Sequence, residues 1–399
     1  MNSNRKTLWI ISELFPPDET STAFILGEIA NVMARKYEVK VICGPEIYDK
    51  RKKTDPNNKF VLDPQITVTH VKGVDLDKNT FFGKAMRFAI ISRQLYTTAR
   101  KNIKEGDKVL MVTNPAPMVA LISRLRRNRN FELNILVHDV FPENTKPAGL
   151  KLPSWAYQFL KNLFDKSYSK ADLLIALGRD MKMVLEQKVA RFEHQPKVTI
   201  IENWADLDIV SPIDMPLHPD KFVLEYAGNI GRVQGLQEII ENLKEASNSD
   251  LEFHLWGTGA EENRLKDYTQ IHKMSNVVFH GAYLRSRQNE VINSCDMALV
   301  TLTEGMFGLG VPSKTYNIMA AGKAVLFIGE PESEIGLLVK EKQIGIVFRP
   351  DDKEGLVHFL ASLSKDKQPE FAEMGKRARQ VAETEYAKDI ILKKFVEAI

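Results

Sequence analysis

The chain has 399 residues, 44% of them hydrophobic and 27% charged. That is ordinary globular composition; it excludes a disordered chain and, at roughly 100–200 residues per domain, predicts two or three domains. The net charge of +3 conceals an asymmetry: residues 1–200 hold 33 Lys and Arg against 21 Asp and Glu (+12), and residues 201–399 hold 22 against 31 (−9). Two halves of opposite sign point to two domains with different partners, and a basic half can face anionic lipid, nucleic acid or a phosphorylated substrate. No apolar run reaches the roughly 18 residues of a membrane span. The apolar stretch Leu8–Ile11 leads straight into Glu13 and reads as a buried strand rather than a signal peptide. Two distant cysteines, Cys43 and Cys295, make neither a disulfide framework nor a metal cluster, so a reducing cytoplasm is expected.

Apolar runs alternate with helical patterns along the whole chain. Strands are predicted at Thr7–Ser12, Glu38–Cys43, Thr67–Val71, Val109–Val112, Asn134–His138, Asp172–Ala176 and Val198–Ile201, with helices at Ala23–Lys36, Phe82–Lys101 and Ala156–Tyr168. The pattern restarts with strands at Phe222–Ala227, Glu252–Trp256, Val277–His280, Met297–Val300, Ala324–Ile328 and Gly345–Phe348, and helices at Leu236–Ala246 and Glu261–His272. Apolar strands separated by helices are what βαβ units and parallel sheets require. Two successive sets predict two doubly wound α/β domains, with the break near Asn203–Pro219.

In open parallel sheets ligands bind beyond the carboxyl ends of the strands, so the loops after strands are where chemistry is expected. The first such loop, Glu13–Thr22, contains no glycine, which counts against a dinucleotide fingerprint there. The strand Phe222–Ala227 instead runs into Gly228-Asn229-Ile230-Gly231-Arg232-Val233-Gln234-Gly235, where glycines let backbone N–H groups approach a phosphate and Arg232 adds charge; a plain tight turn fits equally well. Trp256-Gly257-Thr258-Gly259 follows the next strand and is weak by itself. Gly308 to Lys323 is more informative. Glycines lead into Val311, Pro312, Ser313 and Lys314, where Pro suits a first helical turn, Ser a cap and Lys314 the positive helix end, and Gly322 stops the helix. In the first half, the strand Asn134–His138 carries His138 and Asp139 to its carboxyl end, with Glu143 in the following loop and Asn114 ending the strand before it. Such a histidine is as often structural as catalytic.

These residues together resemble bacterial glycosyltransferases of sequence family 4, in the branch that builds capsule and O-antigen sugars. The resemblance covers essentially the whole chain. It is carried by Tyr226–Gly231 with Gln234-Gly235-Leu236, by Gly310–Lys314 with Ala320–Lys323, by the interdomain segment Ile201–Asp206, and by Asn276–Gly281. It implies the GT-B fold, two facing Rossmann-like domains with a cleft between them: residues 1–203 binding acceptor, residues 204–384 binding donor, and a final helix at about 385–399 packing back on the first. It implies a retaining transferase that takes a sugar, hexosyl or N-acetylhexosaminyl, from a nucleotide-sugar donor, UDP-linked in most members. The acceptor is a glycan or lipid-linked saccharide. No cofactor and no bound metal are implied, nor any nucleic-acid partner.

The donor-binding residues so implied are Gly228, Asn229, Gly231, Arg232, Gln234, Gly257, Tyr283, Gly310, Val311, Pro312, Ser313, Lys314 and Asn317. Acceptor-side residues are Thr20, Ser21, Thr22 and Asn114, and His138, Asp139 and Glu143 are the expected catalytic groups. Many members place Arg and Lys where this chain has Asn229 and Gln234, and two glutamates where it has Leu309 and Asn317. Glu304 resembles the first of these only in its surroundings. Two other readings share the architecture: a non-hydrolysing nucleotide-sugar epimerase, which needs no acceptor, and a nucleotide-sugar-binding pseudoenzyme. The expected location is the cytoplasmic side of the cell membrane, with a basic face on anionic lipid. The candidate faces are Arg124, Arg126, Arg127 and Arg129, or Lys84, Arg87 and Arg93.

Overall fold

The structure is a computed structural model that describes residues 5–46, 60–73, 81–214 and 219–399, with the backbone alone for residues 81–85. The chain divides into two compact units: Met1–Glu143 with Leu152–Ile201 and Leu392–Ile399, and Asn144–Lys151 with Glu202–Ile391.

The first unit holds seven strands, β1 (Thr7–Ser12), β2 (Glu38–Cys43), β3 (Thr67–His70), β4 (Lys108–Val112), β5 (Glu132–Leu136), β6 (Leu173–Ala176) and β7 (Lys197–Ile200), in one sheet of order β3-β2-β1-β4-β5-β6-β7. Every pairing is parallel. Its helices are α1 (Ser21–Met33), α2 (Phe81–Asn102), α3 (Pro117–Leu125), α4 (Ser154–Tyr168) and α5 (Arg179–Val189). Strands such as β1 and β6 are buried on both faces, which is why they read as continuous apolar runs rather than alternating ones. Thr20 caps α1 by accepting from the Ala23 N–H at 3.3 Å.

The second unit holds β8 (Phe222–Ala227), β9 (Leu251–Trp256), β10 (Val277–Gly281), β11 (Met297–Thr301), β12 (Ala324–Ile328) and β13 (Gly345–Phe348), parallel throughout, in the order β10-β9-β8-β11-β12-β13. Its helices are α6 (Leu236–Ala246), α7 (Glu262–Ile271), α8 (Gln288–Asn293), α9 (Lys314–Ala320), α10 (Glu334–Lys342), α11 (Lys353–Ala361) and α12 (Gln368–Glu385). Leu236, Ile239, Ile240 and Leu243 recur at helical spacing along α6 and pack with Phe222, Leu224, Phe253 and Leu255 of the sheet in one core. A last helix, α13 (Lys388–Ala398), ends in the first unit, where the Tyr37 hydroxyl and the Lys108 ammonium donate to the Ile399 carbonyl at 2.7 and 2.6 Å.

All thirteen predicted strands are present. One boundary bears on the site: β5 stops at Leu136, so His138 lies in the loop beyond the strand rather than at its last position. There its N–H and that of Asp139 both donate to Thr113 Oγ1 at 3.1 Å, which ends the strand by taking two backbone donors out of the ladder.

Candidate active site

In each sheet the strand order reverses once, between β1 and β4 and between β8 and β11. Connections leave such a pair in opposite directions, so the carboxyl ends of the two strands flank a crevice. Gly228 and Lys314 meet at the second of these points, and Thr22 follows β1 at the first.

In the second unit β8 runs into Gly228, whose φ of 150° suits glycine. Behind it Gly257 packs so closely that a Cβ there would stand 1.8 Å from the Gly228 carbonyl oxygen. A Cβ on Gly228 would in turn meet Lys314 Nζ at 2.6 Å. Glycine is therefore required where backbone and ammonium approach. Lys314 opens α9 and holds its ammonium 3.5 Å above the centre of the Tyr226 ring. The residue as a whole is half-buried, but the ammonium nitrogen is out of reach of solvent and, among the described residues, has no hydrogen-bond partner. Burial pushes its pKa down from 10.5 to about 7, against the pull of the Glu225 carboxyl. A ring face compensates a desolvated ammonium only in part.

Glu225 carried no weight in the sequence, although an acid inside the apolar run of β8 was the available signal. It is buried and accepts from Ser294 Oγ at 2.6 Å. Burial raises its pKa to about 8, with Ser294 and the Lys323 ammonium opposing. The Tyr226 hydroxyl donates to the Asn229 carbonyl at 2.6 Å and fixes the loop over its own strand. At Gly231 a Cβ would meet Asn229 Nδ2 at 2.6 Å and Gln234 Oε1 at 2.7 Å, so these two amides crowd the same turn. Tyr283 stands edge-on to Trp256 with centroids 6.2 Å apart, and burial pushes its hydroxyl up to about 12, followed by the influence of Glu225.

Ser313 takes the expected N-cap position of α9 but makes no side-chain cap bond because its own backbone is already helical, and Pro312 precedes the helix rather than forming its first turn. Gly322, at φ 66°, does follow the helix as a left-handed stop. Arg232 is largely exposed and pairs with Glu261 at 3.4 Å, a carboxylate it shares with Arg264 at 3.0 Å. The Asn317 side-chain oxygen accepts from the Asp206 N–H at 2.9 Å, so it anchors the segment that follows Glu202. Gly310 and Val311 are half-buried beside Pro312; Leu309 is buried and Glu304 exposed.

In the first unit the loop after β5 meets the start of α1. Thr22 Oγ1 lies 3.5 Å from His138 Nδ1, while His138 Nε2 is buried with no hydrogen-bond partner among the described residues. Burial pushes the imidazole down to about 4. Ser21 is exposed beside Thr22, and Thr20 is used as the cap of α1. The Asn114 carbonyl accepts from the Glu13 N–H at 3.2 Å and so joins the segments that follow β4 and β1. Asp139 is half-buried next to His138. Glu143 belongs to a different cluster: it accepts from Lys188 at 2.6 Å and Lys161 at 3.1 Å, and Lys188 bridges on to Asp165 at 2.7 Å. Among the described residues it shares no hydrogen bond with His138.

The basic faces also rearrange. Arg87 is buried against Glu13 at 2.6 Å, so it does not face lipid. Arg126 pairs with Asp172 at 2.5 Å, and Arg129 donates to the Arg100 and Ile103 carbonyls at 2.6 and 2.5 Å. Arg93, Arg124 and Arg127 remain exposed, and the side chain of Lys84 lies outside the described residues. Among the described residues no helix is long and apolar enough to cross a membrane.

Two Rossmann-like units, each with polar side chains gathered at its switch point and one of them presenting a buried cation over a glycine turn, define an α/β protein of the GT-B class. Residues 214–381 match the model of the family described as glycosyl transferases group 1. A probable glycosyltransferase of Pseudomonas aeruginosa, WbjE, is 32% identical over 98% of this chain and 97% of its own. The chain thus belongs to the group 1 glycosyltransferase family. The putative colanic acid biosynthesis glycosyl transferase WcaI of Escherichia coli (strain K12) is 27% identical over 55% of this chain and 53% of its own. Among solved structures, Anabaena HepE in complex with UDP has the same fold, with a TM-score of 0.68 at 15% identity over 98% of this chain and 99% of the other.

Proposed function

We propose that the protein is a retaining glycosyltransferase of bacterial surface polysaccharide synthesis. In this reading it moves a sugar from a UDP-linked donor to a glycan or lipid-linked saccharide. The observation that carries it is the Lys314 ammonium: three donors, buried, unpartnered among the described residues and set above Gly228 at the sheet's switch point. Such a group keeps its proton when an anion binds beside it and otherwise tends to give it up. A diphosphate fits because at Gly228 no side chain stands between the loop backbone and the ammonium, where a Cβ would meet Lys314 Nζ at 2.6 Å. When the glycosidic bond breaks, charge develops on the leaving diphosphate, and a cation already fixed in place stabilises that charge without reorganising. The UDP-bound neighbour supports the choice of nucleotide, and the colanic acid relative supports the polysaccharide setting.

His138, neutral and backed by Thr22, is placed in this reading as the group that orients the reacting sugar or its acceptor; Asp139 stands by as the nearest carboxylate in sequence. Calorimetry with UDP, followed by a panel of UDP-sugars with saccharide-lipid acceptors, tests the assignment. Binding of UDP and acceptor-dependent release of UDP are expected. Interconversion of a nucleotide sugar without acceptor would instead mark an epimerase, and binding without turnover a pseudoenzyme.

A further inference from the structure

α4 carries a surface that the fold does not explain. Its buried residues, Phe164, Asp165, Ser167 and Tyr168, all lie in its last turns. Along the rest of the helix Trp155 is 77% exposed, Phe159 64% and Leu163 39%. A spacing of four puts these three on one face, one above the other. Single exposed apolar side chains are normal, whereas a contiguous aromatic stripe marks an interaction site.

Basic side chains lie beside the stripe. Lys166, three residues past Leu163, is exposed and continues the same face. Arg191, half-exposed, reaches α4 by donating to Asn162 Oδ1 at 2.9 Å and to the Asp165 carboxylate at 3.1 Å, so Lys166 is the cation of this face that no acid engages among the described residues. The acid of α4, Asp165, is buried and neutralised by Lys188 at 2.7 Å. On α5 Asp180 is buried, and the exposed Glu186 lies 3.7 Å from Lys182. Trp, Phe and Leu on one face with basic residues beside them suit the boundary between headgroups and acyl chains. Three side chains also fall short of the roughly 800 Å² per partner that a stable protein interface needs, while shallow insertion needs no such area.

We infer that the Trp155–Phe159–Leu163 face of α4 docks the protein on an anionic bilayer surface, the apolar side chains entering the headgroup boundary and Lys166 meeting anionic lipid. The inference rests on the proposed lipid-linked acceptor for its purpose, and names the surface that brings the enzyme to it.

The test sediments the full chain with vesicles of phosphatidylglycerol and phosphatidylethanolamine, and with vesicles of phosphatidylcholine, at low and high salt. The parent binds the anionic vesicles and is released by salt. The double variant Trp155→Ser, Phe159→Ser binds at least about tenfold more weakly, and Lys166→Glu reduces the preference for anionic lipid, both with unchanged melting temperature because the altered side chains lie on the surface. Brominated lipids quench the parent's tryptophan emission and quench the double variant much less. Equal partitioning of parent and double variant, or no binding of the parent to either vesicle, overturns the inference; so does a parent dimer that the double variant abolishes. Docking without UDP binding defeats the donor reading and leaves the docking face standing, and UDP binding without docking does the reverse.

Discussion

Replacing Lys314 by methionine removes the ammonium and keeps nearly the same length of apolar stem, so two opposite effects separate. In the free protein the ammonium is stripped of water with no acceptor to replace it among the described residues, and its pKa falls from 10.5 to about 7. The sign follows from linkage. Below pH 7 both folded and unfolded chains hold the proton, and the folded state bears the whole cost of the buried charge. Between pH 7 and 10.5 the unfolded chain binds more protons, so stability rises with pH. At about 1.4 kcal/mol per pH unit that cost is about 3–5 kcal/mol near neutrality. Lys314→Met is therefore expected to melt higher than the parent at pH 6–7 and to lose that advantage by pH 10. Its UDP affinity moves the other way: losing a charge-assisted hydrogen bond weakens binding by about 1.5–3 kcal/mol, or about 10- to 150-fold.

The parent's own affinity should depend on pH as well. A diphosphate raises the ammonium pKa, so binding takes up a proton above pH 7 and weakens as pH climbs from there. Calorimetry in buffers of different ionisation enthalpy reads that proton directly. A methionine variant that binds UDP like the parent, or a parent whose affinity is flat from pH 7 to 9, would refute the placement of the phosphates at Lys314.

Further outcomes are expected from the geometry. His138→Ala lowers turnover with little change in melting temperature. Because burial holds its imidazole at about 4, kcat/KM shows no imidazole titration from pH 5 to 8; the corresponding stability is complete above pH 6.5 and lost as pH falls toward 4, and an inflection near pH 6.5 in the rate profile would contradict this. Lys188→Met leaves Glu143 and Asp165 without their central cation and costs about 3–5 kcal/mol in a denaturation series. Glu143→Gln should accordingly depress stability more than turnover, and the reverse ratio would restore Glu143 as a reacting group. Gly257→Ala cannot keep the present backbone, since its Cβ would overlap the Gly228 carbonyl; UDP binding falls sharply, and an unchanged Kd would show that the two loops are not packed as described.

What the sequence shows of this protein and what it hides divide along a physical line. β1, β8 and their neighbours are buried on both faces, and a parallel strand so placed is apolar at nearly every position, so the runs announce themselves. α3 escapes notice because it begins at Pro117 directly after Asn114-Pro115, where two prolines read as loop; proline is favoured at a first helical position, and the helix continues through Leu125. In the site, Gly228 and Lys314 stand out because tight turns and helix starts leave local marks. Long-range pairing leaves none: Arg87 is 74 residues from Glu13, and Arg232 is 29 from Glu261. A count of basic residues therefore overstates both the lipid-facing charge and the charge available to a diphosphate. Once those arginines are spoken for by carboxylates, Lys314 is the cation of the glycine loops that no acid neutralises by contact among the described residues. The proposed docking face likewise lies not on the arginine clusters but on α4, where Trp155 and Phe159 are exposed without a partner surface in their own unit and the nearest acid, Asp165, is already paired. Charge that is satisfied within the fold cannot also recruit a partner, so the residues left for function are those the fold itself leaves unsatisfied.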